Sequence, residues 1–239
     1  MKGSKYSIIK LVESPDFIGE INKLIKTTGA KITVYDNWMP KSIRLDKEAE
    51  LNDFLKYNFS QELSACITGW WLQVDTTTPN WDLISTCTID GVKGLLLVEA
   101  KAHVNELKNE AKRKSLDNNA SEKSNDNHKQ IGLAIDDANE NLKTEVSEIN
   151  ISRDKCYQLS NRIAHAWWLA NQGIPVVLVY LGFLNCKDMD YGNRTLFNTD
   201  EKWQKCFRNH AQLVGADELI GKWVDCGNSK FMLICNSYN

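Results

Sequence analysis

Two β-prone runs, residues 82–89 and 94–102, lie on either side of Asp90-Gly91 and constrain this chain more than any other stretch. Asp-Gly between alternating apolar residues is the strongest short-range hairpin signal. Side chains alternate faces along a strand, so the register decides what meets what. With a two-residue turn, Ile89 pairs with Val92 and Asp82 falls opposite Glu99. With a four-residue loop, Asp82 falls opposite Lys101. Either register puts Asp82, Glu99 and Lys101 on one face, where facing Cβ atoms sit roughly 4.5–5.5 Å apart. The neighbours of Glu99 are otherwise apolar: Leu95, Leu96, Leu97, Val98 and Ala100. Charges in such a strand cost free energy unless they are paired or bind a metal. A divalent cation would settle the conflict between Asp82 and Glu99, and Mg²⁺ typically takes one or two carboxylates.

The surrounding pattern predicts an α/β protein. Residues 6–12 alternate weakly and are expected as a strand. Ser14-Pro15-Asp16 opens a helix in which Phe17, Ile21, Leu24 and Ile25 recur up to Gly29. Residues 31–35 are β-prone and 37–42 form a loop. A stripe of Leu51, Phe54, Leu55, Phe59, Leu63 and Cys66 predicts a helix over 47–67, weakened at Asn58 and Ser60. A short strand over 70–75 and a loop over 76–80 lead to the hairpin. Residues 105–127 are polar and are expected to form a helical extension ending in a mobile loop. Helices follow over 131–146 and 153–172, the latter closed by Gly173. A buried strand over 174–183, a helix over 200–219 and a strand over 231–235 complete the chain. No repeat or linker divides the 239 residues, which read as one domain.

The formal net charge of -2 is unlike that of a nucleic-acid coat protein, although a local basic channel needs no overall excess. Seven cysteines without a C-x-x-C pair argue against zinc and disulfides and for a cytoplasmic protein. The longest apolar run, 174–184, is too short to span a bilayer. Cys156 and His165 are nine residues apart on one helix and so face opposite ways, which excludes a thiol hydrolase. The pairs Trp70-Trp71 and Trp167-Trp168 are expected in the core rather than as base-stacking platforms.

The set Pro79-Asn80-Trp81-Asp82 followed by Glu99-Ala100-Lys101 resembles the PD-(D/E)xK nuclease signature. It departs in that Pro79 is not adjacent to the aspartate. The resemblance implies a restriction-endonuclease-like αβββαβ core over about 47–183, with a mixed central sheet flanked by helices and extra terminal elements. It implies Mg²⁺, with Mn²⁺ as a substitute, held by Asp82, Glu99 and the Ala100 carbonyl. Glu62 matches the place of an additional acidic ligand. Lys101 would orient or deprotonate the attacking water. Gln158 and Arg162, spaced i, i+4 with His165 at i+7, match a further polar motif on the crossover helix, and Arg162 could clamp a phosphate.

Lys108, Lys112 and Arg113 are candidates for a nucleic-acid channel, weighed against an ordinary solvated face. The expected function is metal-dependent phosphodiester hydrolysis, most naturally of DNA, with no membrane partner and with room for a homodimer. The alternatives are a catalytically inactive nuclease fold that binds nucleic acid or a protein partner, and a hydrolase of small phosphate substrates.

Overall fold

A computed structural model describes residues 2–72, 78–112 and 121–239 of the chain. Among them lies a mixed six-stranded sheet in the order β1-β4-β5-β6-β8-β7. The elements are β1 (Trp38–Met39), β4 (Leu83–Ile89), β5 (Val92–Lys101), β6 (Val176–Phe183), β7 (Trp223–Asp225) and β8 (Lys230–Tyr238). A separate two-stranded ladder pairs β2 (Ala49–Glu50) with β3 (Asn80–Trp81). The helices are α1 (Gly3–Val12), α2 (Phe17–Leu24), α3 (Leu51–Asn58), α4 (Gln61–Trp71), α5 (Glu122–Leu142), α6 (Tyr157–Asn171) and α7 (Asp200–Gln212).

The hairpin takes the two-residue turn. Ile89 pairs with Val92 and Leu83 with Val98. Asp90 and Gly91 both have positive φ, 51° and 79°, the geometry whose twist matches the flanking strands. β5 and β6 run parallel, and β6 and β8 run parallel. Parallel neighbours need a crossover, which α5 and α6 supply between β5 and β6.

Strand parity divides the core into two layers. Leu96, Val98 and Ala100 of β5 pack with Ile8, Leu11, Phe17 and Ile21 of α1 and α2. Leu95 and Leu97 face the opposite layer, built with Phe54, Ile67, Ile135, Ile163 and Phe207 from α3 to α7. Glu99 and Lys101 share the parity of Leu95 and Leu97, so they point toward α6.

Several expected elements differ. Residues 6–12 belong to helix α1, because Ile8, Leu11 and Val12 form an i, i+3, i+4 stripe buried on the sheet. The single helix expected over 47–67 is two helices. Ser60 caps α4, its hydroxyl accepting from the Leu63 N–H at 3.1 Å, and Phe59 leaves helical geometry. Ala49 and Glu50 are extended. Trp70 and Trp71 end α4 rather than start a strand, and the rest of that expected strand lies mostly outside the described residues. Of the stretch 105–127, expected as a helical extension ending in a mobile loop, residues 122–127 belong to α5, whose cap Ser121 accepts from the Ser124 N–H, and 113–120 lie outside the described residues. The helix expected over 200–219 leaves α geometry after Gln212, before the left-handed Gly215, and resumes as a 3-10 turn over Ala216–Leu219. Strand β7 was not expected. No described helix is long and apolar enough to cross a membrane.

Candidate active site

Three segments build the site: the residue entering β4, the end of β5, and the first two turns of α6. Asp82 directly precedes β4, and its Oδ2 accepts the Ala100 N–H at 2.7 Å. Glu99 and Lys101 are 3% and 5% exposed. Lys101 Nζ donates to Glu99 Oε1 at 2.6 Å and to Gln158 Oε1 at 2.7 Å. Arg162 Nε donates to Glu99 Oε2 at 2.7 Å, and its Nη2 donates to the Asn80 carbonyl at 2.7 Å. The guanidinium lies 4.2 Å from the centroid of the Trp81 ring. The structure therefore brings together Asp82, Glu99, Ala100, Lys101, Gln158 and Arg162.

This geometry corrects the electrostatic argument made from the strand alone. The conflict between the two carboxylates is offset by protein cations, since both oxygens of Glu99 hold a charged donor. Arg162 is committed to Glu99 and Asn80 rather than standing ready as a phosphate clamp. Burial works to raise the Glu99 carboxyl. The Arg162 and Lys101 charges, with their hydrogen bonds, outweigh it and hold the group below the ordinary carboxylate range. Asp82 goes the other way. Enclosure and then the Glu99 charge push it up to about 7. A carboxyl that retains its proton to near neutrality marks a spot where further positive charge is welcome.

The site opens into a cleft of about 1290 Å³, lined by these residues and also by Glu48, Glu106, Lys108, Glu110, Lys112, Lys123 and Tyr157. Lys108 lies 3.8 Å from Glu110 in an exposed pair. Lys112 lies over the Tyr157 ring at 5.0 Å, and burial lowers its ammonium. Arg113 lies outside the described residues. Glu62 stands on the exposed first turn of α4 and is not among the residues lining the cleft. A carboxylate at the start of a helix serves the local dipole there, and Glu62 is held low by backbone and Ser60 contacts. Among the described residues no group of three or more His, Cys, Asp or Glu side chains is placed to hold a metal. The candidate donors are thus two carboxylates and a carbonyl.

His165 belongs to the core. Its Nδ1–H donates to the Asn161 carbonyl at 2.9 Å, and its ring lies 4.3 Å from Trp71 and 5.5 Å from Trp70. Burial pushes it down to about 3, so it stays neutral. Cys156 contacts His210 Nδ1 at 3.9 Å, and burial raises its thiol. Trp70 stacks on Trp168 at 5.5 Å, in keeping with the core role expected of the tryptophan pairs.

Sequence reasoning missed Trp81 as the platform under Arg162, and it missed Tyr180. Tyr180 is the register partner of Glu99 on β6, and it is buried with no hydrogen-bond partner for its hydroxyl among the described residues. Its position in the strand over 174–183, two residues after Leu178, was the available signal.

Comparison with protein-family models, with curated proteins and with solved structures found no match.

Proposed function

We propose that this chain is a metal-dependent phosphodiester hydrolase of PD-(D/E)xK type, acting on nucleic acid and most naturally on DNA. The observation that carries the reading is the convergence of Asp82, Glu99 and Lys101 at the end of one hairpin, on the floor of an open cleft and contacted by Gln158 and Arg162. A chain needs no such buried charge set for folding alone, because apolar residues of similar volume would do as well or better. The order α4, β4, β5, α6, β6 is compatible with the restriction-endonuclease-like arrangement.

The residues fit a divalent ion of the Mg²⁺ or Mn²⁺ kind. Asp82 Oδ2 accepts the Ala100 backbone N–H, Ala100 lines the same cleft, and the raised Asp82 carboxyl signals under-compensated negative charge. Asp82, Glu99 and Ala100 would hold the ion, which when bound supplies Lewis-acid neutralisation of charge on a phosphate. Gln158 holds Lys101, and the ammonium of Lys101 stabilises charge building on the scissile phosphate and orients the attacking water. Arg162 fixes the carboxylate plane of Glu99. Lys108 and Lys112 stand on the cleft wall, where a phosphate backbone would lie.

A second reading, an inactive nucleic-acid-binding protein, is favoured by one feature: Glu99 is already saturated by Lys101 and Arg162. Cleavage of duplex DNA, single-stranded DNA and RNA with Mn²⁺, by the native chain beside Lys101→Ala, separates the two. Metal-dependent cleavage lost in the variant is expected. No cleavage by either, with no Mn²⁺-induced rise in Tm, would overturn the enzyme reading.

A further inference from the structure

Beyond Glu106 the rim of the cleft carries positive charge that the reaction centre does not use. Residues 103–106 are stitched to residues 193–196. The Val104 N–H donates to the Thr195 carbonyl at 2.8 Å, and the Thr195 N–H donates to Asn105 Oδ1 at 3.3 Å. His103 bridges to Leu196. This seam sets Arg194 beside the turn that presents Glu106 to the cleft. α1 begins at the same place: Ser4 lines the cleft, and Lys2 precedes it by two residues.

Lys2 and Arg194 meet over one ring. The Lys2 ammonium is 5.1 Å from the Tyr191 centroid, and the Arg194 guanidinium carbon is 3.9 Å from it. Tyr191 is 49% exposed. Neither cation forms an ion pair among the described residues. Asp188, an acid whose charge reaches Tyr191, has its Oδ2 occupied by the Gly3 N–H at 2.8 Å. A cation held by an aromatic face is positioned without being neutralised. Lys2 is exposed and Arg194 half-buried; Arg194 Nη1 is itself enclosed without a hydrogen-bond partner among the described residues, but the charge of the pair stays unneutralised toward an anion.

An exposed aromatic beside unneutralised cations, continuous with a cleft, is how proteins track a single nucleic-acid strand. Resting on the nucleic-acid reading above, we infer that Lys2, Tyr191 and Arg194 form an accessory contact surface for a single strand running on past the cleft, with Lys2 and Arg194 on its phosphates.

The test is fluorescence anisotropy without divalent metal, comparing the native chain with Lys2→Gln/Arg194→Gln. The probes are single-stranded oligonucleotides of about four and about sixteen nucleotides, the span of common single-strand sites. Each phosphate contact adds about 0.7 to the slope of log affinity against log salt for single strands. The double variant is expected to lose about 1.4 from that slope on the long strand and nothing on the short one. An unchanged slope on the long strand, or an equal loss on both lengths, overturns this surface while leaving the cleft reading intact. Failure of the native chain to bind either strand also overturns this surface, while the cleavage assay above decides the cleft reading. A matching Tm for the variant shows that folding is not the cause.

Discussion

Replacing Arg162 by Met removes the charge that ties α6 to Glu99 of β5 and to the Asn80 carbonyl of β3. The native quartet is balanced: Asp82 and Glu99 against Lys101 and Arg162. The side chains of Arg162 and Glu99 are 7% and 4% exposed, so water cannot take over the lost contact. Removing one partner of a buried ion pair costs about 3–5 kcal/mol. Here Glu99 keeps Lys101 on Oε1, but its Oε2 is left buried without a donor and the acids outnumber the remaining base. In a chain of this size 1 kcal/mol shifts Tm by roughly 2–4 °C, so Arg162→Met should melt about 6–20 °C lower. Glu99→Gln should also be costly, leaving two cations to one acid. Glu99→Gln/Arg162→Met restores one acid to one base. Urea titration of the four proteins should then show a double variant destabilised by less than the sum of the singles, with a coupling of at least about 1 kcal/mol. A loss under about 1 kcal/mol for Arg162→Met, the worth of an exposed pair, would refute the reasoning. So would strict additivity.

The raised Asp82 carboxyl makes stability fall as pH climbs from its ordinary 3.8 toward about 7, since the unfolded chain ionises there before the native one does. Asp82→Asn removes that term, so urea midpoints should favour the variant more at pH 8 than at pH 4. His165 has the opposite sense. Kept neutral down to about 3, it destabilises the native state as pH drops below 6.5, and its imidazole resonances should not titrate between pH 8 and pH 5. Glu62→Ala should leave both the Mn²⁺-induced Tm shift and any cleavage rate unchanged. A loss of either would bring that carboxylate into the site.

The hairpin and the α6–β6 crossover were legible because their signals are local. Asp90-Gly91 located the turn while leaving its length open, alternation showed which side chains share a face, and Gly173 marked the end of α6. Asp82, Glu99, Lys101, Gln158 and Arg162 followed from those signals and a family resemblance. What the residues become to one another was not legible. Nothing local says that Arg162 reaches Glu99 across 63 positions, or that it rests on Trp81. The α1 segment was misread because seven residues with Ile8, Ile9, Leu11 and Val12 suit either period, and only the sheet beneath selects the helix. The β2–β3 ladder joins two-residue strands some thirty positions apart, below the reach of any pattern.

The aromatic cluster around His165 has an optical consequence. Of the eight tryptophans, Trp70, Trp71, Trp81, Trp167 and Trp168 gather here through ring contacts with one another or with His165. Indoles this close exchange excitation, so light absorbed anywhere in the cluster is emitted by whichever ring lies lowest in energy. Trp81 carries the Arg162 guanidinium on its face, and that cation is tied to Glu99. Any cation or phosphate that redistributes charge at the site shifts the field across that ring. Emission wavelength and near-ultraviolet ellipticity are therefore label-free reporters of charge redistribution beside Arg162.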